Sequence, residues 1–154
     1  MPEVGQTAQD GAYIGFDFGE KNIGVAVGQR ITATATRLET IRVVSNAAKW
    51  DAITRLVNEW RPVAFVVGLA YQLDGSENPI TQPTLRFCRQ LEGRYRLPVY
   101  TMDETLSTME SKEIFYQSRT RRSEKFIDFK DEFAAQLILQ TWLRQPLPGG
   151  AGHA

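Results

Sequence analysis

The run Val63-Ala64-Phe65-Val66-Val67-Gly68-Leu69 constrains the fold more than any other stretch of the chain. It has no polar alternation, so it must be covered on both faces. That is the pattern of an interior strand with helices above and below its sheet. Its neighbours supply the helices. From Asn46, a plausible N-cap, Trp50, Ile53, Val57 and Trp60 recur at spacings of three and four and predict a helix with one apolar face. Pro62 ends that helix by restricting Arg61. After the run, Ala70 to Pro79 holds Asp74-Gly75-Ser76 and reads as a loop. A helix then follows over Thr81 to Tyr95, with Leu85, Cys88, Leu91 and Tyr95 on one face. Leu97 to Met102 reads as a strand and Thr105 to Gln117 as a helix. A last helix runs from Asp128 to Arg144, with Phe133, Leu137, Ile138 and Trp142 facing inward.

The chain opens differently. Ala12 to Phe18 and Asn22 to Gly28 are strand-like and are joined by the short turn Gly19-Glu20-Lys21-Asn22, which predicts an antiparallel hairpin. A third strand belongs either to Thr32–Thr36, where Thr alternates with Ala, or to Leu38–Val44. Hairpin strands followed by strands alternating with helices predict an α/β fold. Its mixed sheet combines antiparallel hairpin strands with parallel ones and carries helices on both faces. Residues 1–10 read as a flexible leader, 11–144 as the folded domain, and 145–154 as a flexible tail.

Absences narrow the chemistry. Cys88 is the only cysteine, and His153 is the only histidine, one residue from the C-terminus. Intrachain disulfides, cysteine-rich zinc sites and histidine catalysis are therefore set aside. Acid–base or metal chemistry falls to carboxylates, lysines and hydroxyls. Lysine plus arginine number 18, as do aspartate plus glutamate, so local clustering must decide whether nucleic acid binds. No apolar run approaches the ~20 residues that cross a bilayer. The polar start, Met1 to Asp10, lacks a signal peptide's apolar core, so a cytoplasmic location is expected.

Three carboxylates stand out. Asp17 lies between two phenylalanines late in an apolar strand, where an unpaired charge costs several kcal/mol. It reads either as a functional group or as an acid bonded to backbone amides. Glu104 follows the strand ending at Met102, at an edge where α/β sheets bind ligands. Its neighbour Asp103 suits an N-cap, with Glu104 otherwise in the first turn of a helix. Asp131 lies early in the last helix, before the small pair Ala134-Ala135, where an acid also suits the helix dipole. A mixed sheet could bring the three together. Clustered carboxylates need cations, and oxygen ligands without histidine or thiolate suit Mg²⁺ or Mn²⁺. Two such ions can clamp the attacking and leaving oxygens of a phosphodiester.

Four blocks in order carry a resemblance. Gly15-Phe16-Asp17-Phe18-Gly19-Glu20-Lys21-Asn22-Ile23-Gly24-Val25-Ala26-Val27 resembles the opening of the YqgF (RuvX) family. So do Val66-Val67-Gly68-Leu69 with Asp74-Gly75-Ser76-Glu77, Asp103-Glu104-Thr105-Leu106-Ser107-Thr108, and Asp131-Glu132-Phe133-Ala134-Ala135-Gln136-Leu137-Ile138-Leu139-Gln140. Ordered blocks are more specific than any single motif. The resemblance implies an RNase H-like fold related to Holliday-junction resolvases. It also implies a nuclease that matures the 5′ end of precursor 16S ribosomal RNA. The family's acidic triad maps onto Asp17, Glu104 and Asp131. Ala70, Asn78 and Thr105 depart from its usual Pro, Gly and Arg. The missing arginine removes a possible phosphate contact.

Lys21 could hold a phosphate beside the metals, or be a solvated turn lysine. The basic stretch Arg119, Arg121, Arg122 and Lys125 could grip a nucleic-acid backbone by counterion release, or be only solvated. Trp50, Trp60 and Trp142 read as core rather than base-stacking platforms. The expected partners are precursor rRNA ahead of a four-way DNA junction, with ribosomal particles and no membrane; the chain is expected as a monomer or weak homodimer. An actin-like phosphotransferase would share the first hairpin, but its fold needs a second half for which 154 residues are too few. A binding module that keeps only the fold would not need the triad.

Overall fold

The computed structural model describes residues 11–71, 74–103 and 126–146, with side chains from residue 131 onward in the last segment. Its elements are β1 (Ala12–Asp17), β2 (Asn22–Gln29), β3 (Thr34–Arg42), α1 (Asn46–Trp60), β4 (Pro62–Leu69), α2 (Thr81–Tyr95), β5 (Val99–Asp103) and α3 (Phe126–Leu143). The five strands form one sheet in the order β3-β2-β1-β4-β5. β1 pairs antiparallel with β2, and β2 with β3, while β1 runs parallel to β4 and β4 to β5. The expected α/β mixed sheet is therefore present. No helix among the described residues is long and apolar enough to cross a membrane.

Strand alternation divides the core into two layers. Ile14, Phe16, Ile23, Val25, Phe65 and Val67 join Trp50, Ile53, Leu56, Phe87 and Leu91 beneath α1 and α2. Tyr13, Ala26, Ala64 and Val66 meet Ala135, Ile138, Leu139 and Trp142 of α3 on the other face. The continuous apolar run is thus buried from both sides, as its composition requires.

Helix α3 lies unusually close to the sheet. A Cβ added at Gly15 would fall 2.7 Å from Leu139 Cβ, and one at Gly28 would fall 2.8 Å from Leu143 Cδ1. A Cβ at Gly24 would overlap the Asp131 carbonyl oxygen. Glycine on the strands and Ala135 on the helix together permit the approach. Side-chain amides then fasten α3 to β3: Gln136 Nε2 donates to the Ala35 carbonyl at 3.0 Å, and Gln140 Oε1 accepts from the Ala35 N–H at 3.2 Å.

Several local expectations change. The two candidate stretches for the third strand belong to one strand, which a register irregularity near Val25–Ala26 helps to pair along its length. The cap of α1 is Ser45 rather than Asn46: its backbone is extended and its side chain accepts from the Ala48 N–H at 3.0 Å. The buried face of α1 is Trp50, Ile53 and Leu56, whereas Trp60, in the last turn, stays 37% exposed. On α2 the buried positions are Thr81, Thr84, Phe87, Cys88 and Leu91, and Leu85 is only half-buried. Both threonines are buried because their hydroxyls find carbonyls: Thr81 Oγ1 donates to Ala70 and Thr84 Oγ1 to Ile80. Strand β5 starts at Val99, two residues later than expected. The leader 1–10, the helix over Thr105–Gln117 and the tail beyond Pro146 lie outside the described residues.

Candidate active site

Asp17 ends β1 and is half-buried. Its cross-strand partner in β2 is Gly24. Directly paired residues of an antiparallel ladder project to the same face, and Gly24 looks straight at the backbone of Asp131. Alternation along β1 agrees, since Tyr13 and Gly15 meet α3 while Ile14 and Phe16 meet α1 and α2. Asp17 therefore belongs to the α3 face, on the strand pair that Asp131 covers. Helix α3 begins at Phe126, which puts Asp131 in its second turn. The dipole explanation for that acid is weak there, because the dipole's influence is concentrated in the first turn.

The strands β1, β4 and β5 are parallel, so their C-terminal ends share one edge of the sheet. Phe16 is level with Val67, which is level with Thr101. The end of β5 thus stands two strand spacings, about 10 Å, from that of β1. Asp103 closes β5. Glu104 is the next residue along and lies outside the described residues, as do Arg119, Arg121, Arg122 and Lys125. Lys21 is exposed in the β1–β2 turn, where its carbonyl accepts from the Val43 N–H at 2.8 Å. Among the described residues no group of three potential metal ligands gathers. Of the three expected acids, Asp17 lies on the sheet face that α3 and the Asp131 backbone cover, and Glu104 is outside the described residues.

Glu132 was not singled out by its sequence context. It is half-buried beside Asp131 and accepts a hydrogen bond from Thr40 Oγ1 at 3.2 Å. Burial pushes its carboxyl above the ordinary range. The Thr40 bond and the Arg37 charge oppose that, while the Asp131 and Glu39 charges add to it. Arg37 itself lies 5.3 Å over the Phe133 ring. Only the orientation of α3 reveals Glu132, since consecutive acids in a helix point in different directions.

The sequence profile of the RuvX family, described as Holliday junction resolvase, matches residues 11–145. The chain belongs to the RuvX family. It is accordingly a nuclease, a hydrolase of the phosphodiester bonds of nucleic acid. A RuvX relative from Methylococcus capsulatus, named "Putative pre-16S rRNA nuclease", is 63% identical over 142 residues, covering 92% of this chain and 94% of the relative. One of the same name from Hydrogenovibrio crunogenus is 44% identical, covering 87% and 94%. Among solved structures, T. thermophilus RuvC in complex with a Holliday junction substrate superposes with a TM-score of 0.56 at 16% identity, over 86% of this chain and 92% of that one. The fowlpox virus resolvase in its Holliday junction DNA complex gives 0.57 at 14%, over 87% and 99%. These likenesses establish the RNase H-like fold of the RuvX chain.

Proposed function

We propose that residues 11–144 form a nuclease domain whose Asp17, Glu104 and Asp131 hold Mg²⁺ or Mn²⁺. We further propose that it trims the 5′ end of precursor 16S rRNA in the cytoplasm, on or near ribosomal particles. The observation that supports the reading is the Asp17–Gly24 pairing beneath the Asp131 backbone, which puts Asp17 on the side of the sheet that α3 covers. The donor set fits hard divalent ions: it is all oxygen, and the chain's single cysteine lies buried on α2. Bound ions would activate the attacking water and stabilise the leaving oxygen. In this reading the phosphodiester would lie against the ions that these carboxylates hold. Lys21 and the stretch Arg119, Arg121, Arg122 and Lys125 would neutralise backbone phosphates on either side.

The relatives' name supports rRNA as the substrate. The family description and the resolvase folds favour a second reading, symmetric cutting of a four-way DNA junction. That reaction needs two sites related by two-fold symmetry, whereas the rRNA reading is met by a monomer or weak homodimer. The deciding experiment offers labelled precursor rRNA and labelled junction DNA, each with Mn²⁺. Cleavage of the rRNA at its 5′ side is expected. Paired nicks in the junction with intact rRNA would favour the second reading, and no cleavage of either would refute both.

A further inference from the structure

A concavity opens at the same sheet edge, on the face away from α3. It has a volume of about 290 Å³ and is lined by Phe18-Gly19-Glu20 after β1, by Val43, by Asn46 and Lys49 of α1, and by Pro83, Arg86 and Gln90 of α2. Phe18 and Gly19 directly follow Asp17 in the chain. Phe18 turns to the α1–α2 layer, where its ring lies 4.8 Å from that of Phe87. The cavity therefore begins within two residues of the candidate active site but faces away from α3.

Its charge is the telling feature. Lys49 and Arg86 line it, and the Arg94 charge acts on Lys49. Arg94 sits 4.1 Å over the Trp50 ring and the Lys49 ammonium 5.2 Å over the same ring. The ion pairs among the described residues join Arg55 to Glu39 and Glu59 and do not reach this cluster. Among the described residues Glu20 is the one carboxylate in the lining, and it is exposed. The Lys49 ammonium is held below its ordinary range by burial and then by repulsion from Arg94. A bound anion would offset the repulsion between these cations. The arrangement is fixed rather than incidental: α1 and α2 are held together by a 2.7 Å hydrogen bond between Thr54 and Tyr95 and by the stacking of Trp50 on Phe87.

We propose that this cavity binds a backbone phosphate of the nucleic-acid substrate, one flanking the phosphodiester to be cut. The polymer then wraps the sheet edge, with the cut on the α3 side and a grip on the α1–α2 side. Neither an apolar ligand nor a free cation suits a solvent-open, cation-lined recess. The proposal rests on the nuclease reading for its ligand, but its test does not depend on cleavage.

Binding of fluorescein-labelled single-stranded RNA and of a labelled four-way DNA junction is measured by anisotropy in Ca²⁺, across a salt series. The variants are Arg86→Glu, Lys49→Met and Glu20→Gln. Arg86 is exposed, and methionine keeps the apolar stem of Lys49 over Trp50, so circular dichroism should remain that of wild type. The first two variants are expected to weaken binding about tenfold and to reduce the log–log salt slope by about one. Glu20→Gln is expected to tighten binding. An effect on only one of the two nucleic acids names the substrate. Wild-type affinity and slope in Arg86→Glu and Lys49→Met would overturn the proposal, as would a wild-type protein that binds neither probe. A wild-type protein that binds with these dependences yet cuts nothing in Mn²⁺ would refute the nuclease reading and leave the phosphate site standing.

Discussion

Asp17 ends a strand whose four preceding residues are all buried, and it shares its face with Asp131. If these acids hold metal, Asp17→Asn and Asp131→Asn should each lower cleavage by orders of magnitude. Metal-free stability should stay level or rise, because neutralising one acid relieves repulsion. A purely structural Asp17 gives the reverse: lower melting temperature and cleavage retained in the folded fraction. Melts in EDTA paired with single-turnover rates separate the two. Glu132 provides a second test. Its carboxyl is raised in the folded state, mainly by burial. The native protein therefore holds this proton more tightly than the unfolded chain does. Glu132 should cost stability as pH rises from the unfolded carboxylate range through its raised native value. Glu132→Gln should flatten that stretch of the stability–pH curve. An unchanged slope in urea melts between pH 4 and 7 would show that the shift is not felt.

At the scale of elements, the approach of α3 to glycine explains both the fold and the site. Gly24→Ala forces a methyl group into the Asp131 backbone, so either β2 or α3 must move. A loss of about 1–3 kcal/mol is expected, with cleavage falling further than stability because the displaced residue is Asp131. Denaturant melts and rates on the same variant check this; full activity would mean that the position of Asp131 is not critical. The same contact shows where sequence reading succeeded and stopped. The run through β4 and the limits of α2 were legible because composition and period depend on local burial. Aliphatic spacing does not single out Phe87, and a threonine buried through its own hydroxyl bond, such as Thr84, looks polar in sequence. Ser45 lost to Asn46 because both are good caps and only the backbone angle chooses between them. Asp17 was conspicuous as a charge among phenylalanines. Gly24 was not, because the reason for a glycine lies in what approaches it from elsewhere in the chain.

Over the whole molecule, the proposed site predicts a dependence on metal and on basic groups distant in sequence. Activity should require Mg²⁺ or Mn²⁺, vanish in EDTA and be poorly supported by Ca²⁺, whose looser geometry misplaces oxygens. Full cleavage in EDTA would rule out metal participation. Replacing Arg121 and Arg122 with Ala should weaken binding and flatten its salt dependence while leaving turnover at saturation less affected. If both binding and salt slope match wild type, that stretch is only solvated surface.

The central position of β1 has a temporal consequence. Its two neighbours are β2, made immediately after it, and β4, made only after α1. The layer that brings Asp131 is α3, which follows every strand. During synthesis the hairpin strands can pair early, yet their α3 face must stay uncovered until nearly all of the described chain has emerged, and such distant closures are slow. A half-made chain therefore carries Asp17 without Asp131. In pulsed hydrogen exchange during refolding, β1–β2 amides should gain protection before those of α3, and cutting should return only with α3. If the proposed site is right, a chain whose α3 has not yet docked would leave nucleic acid uncut.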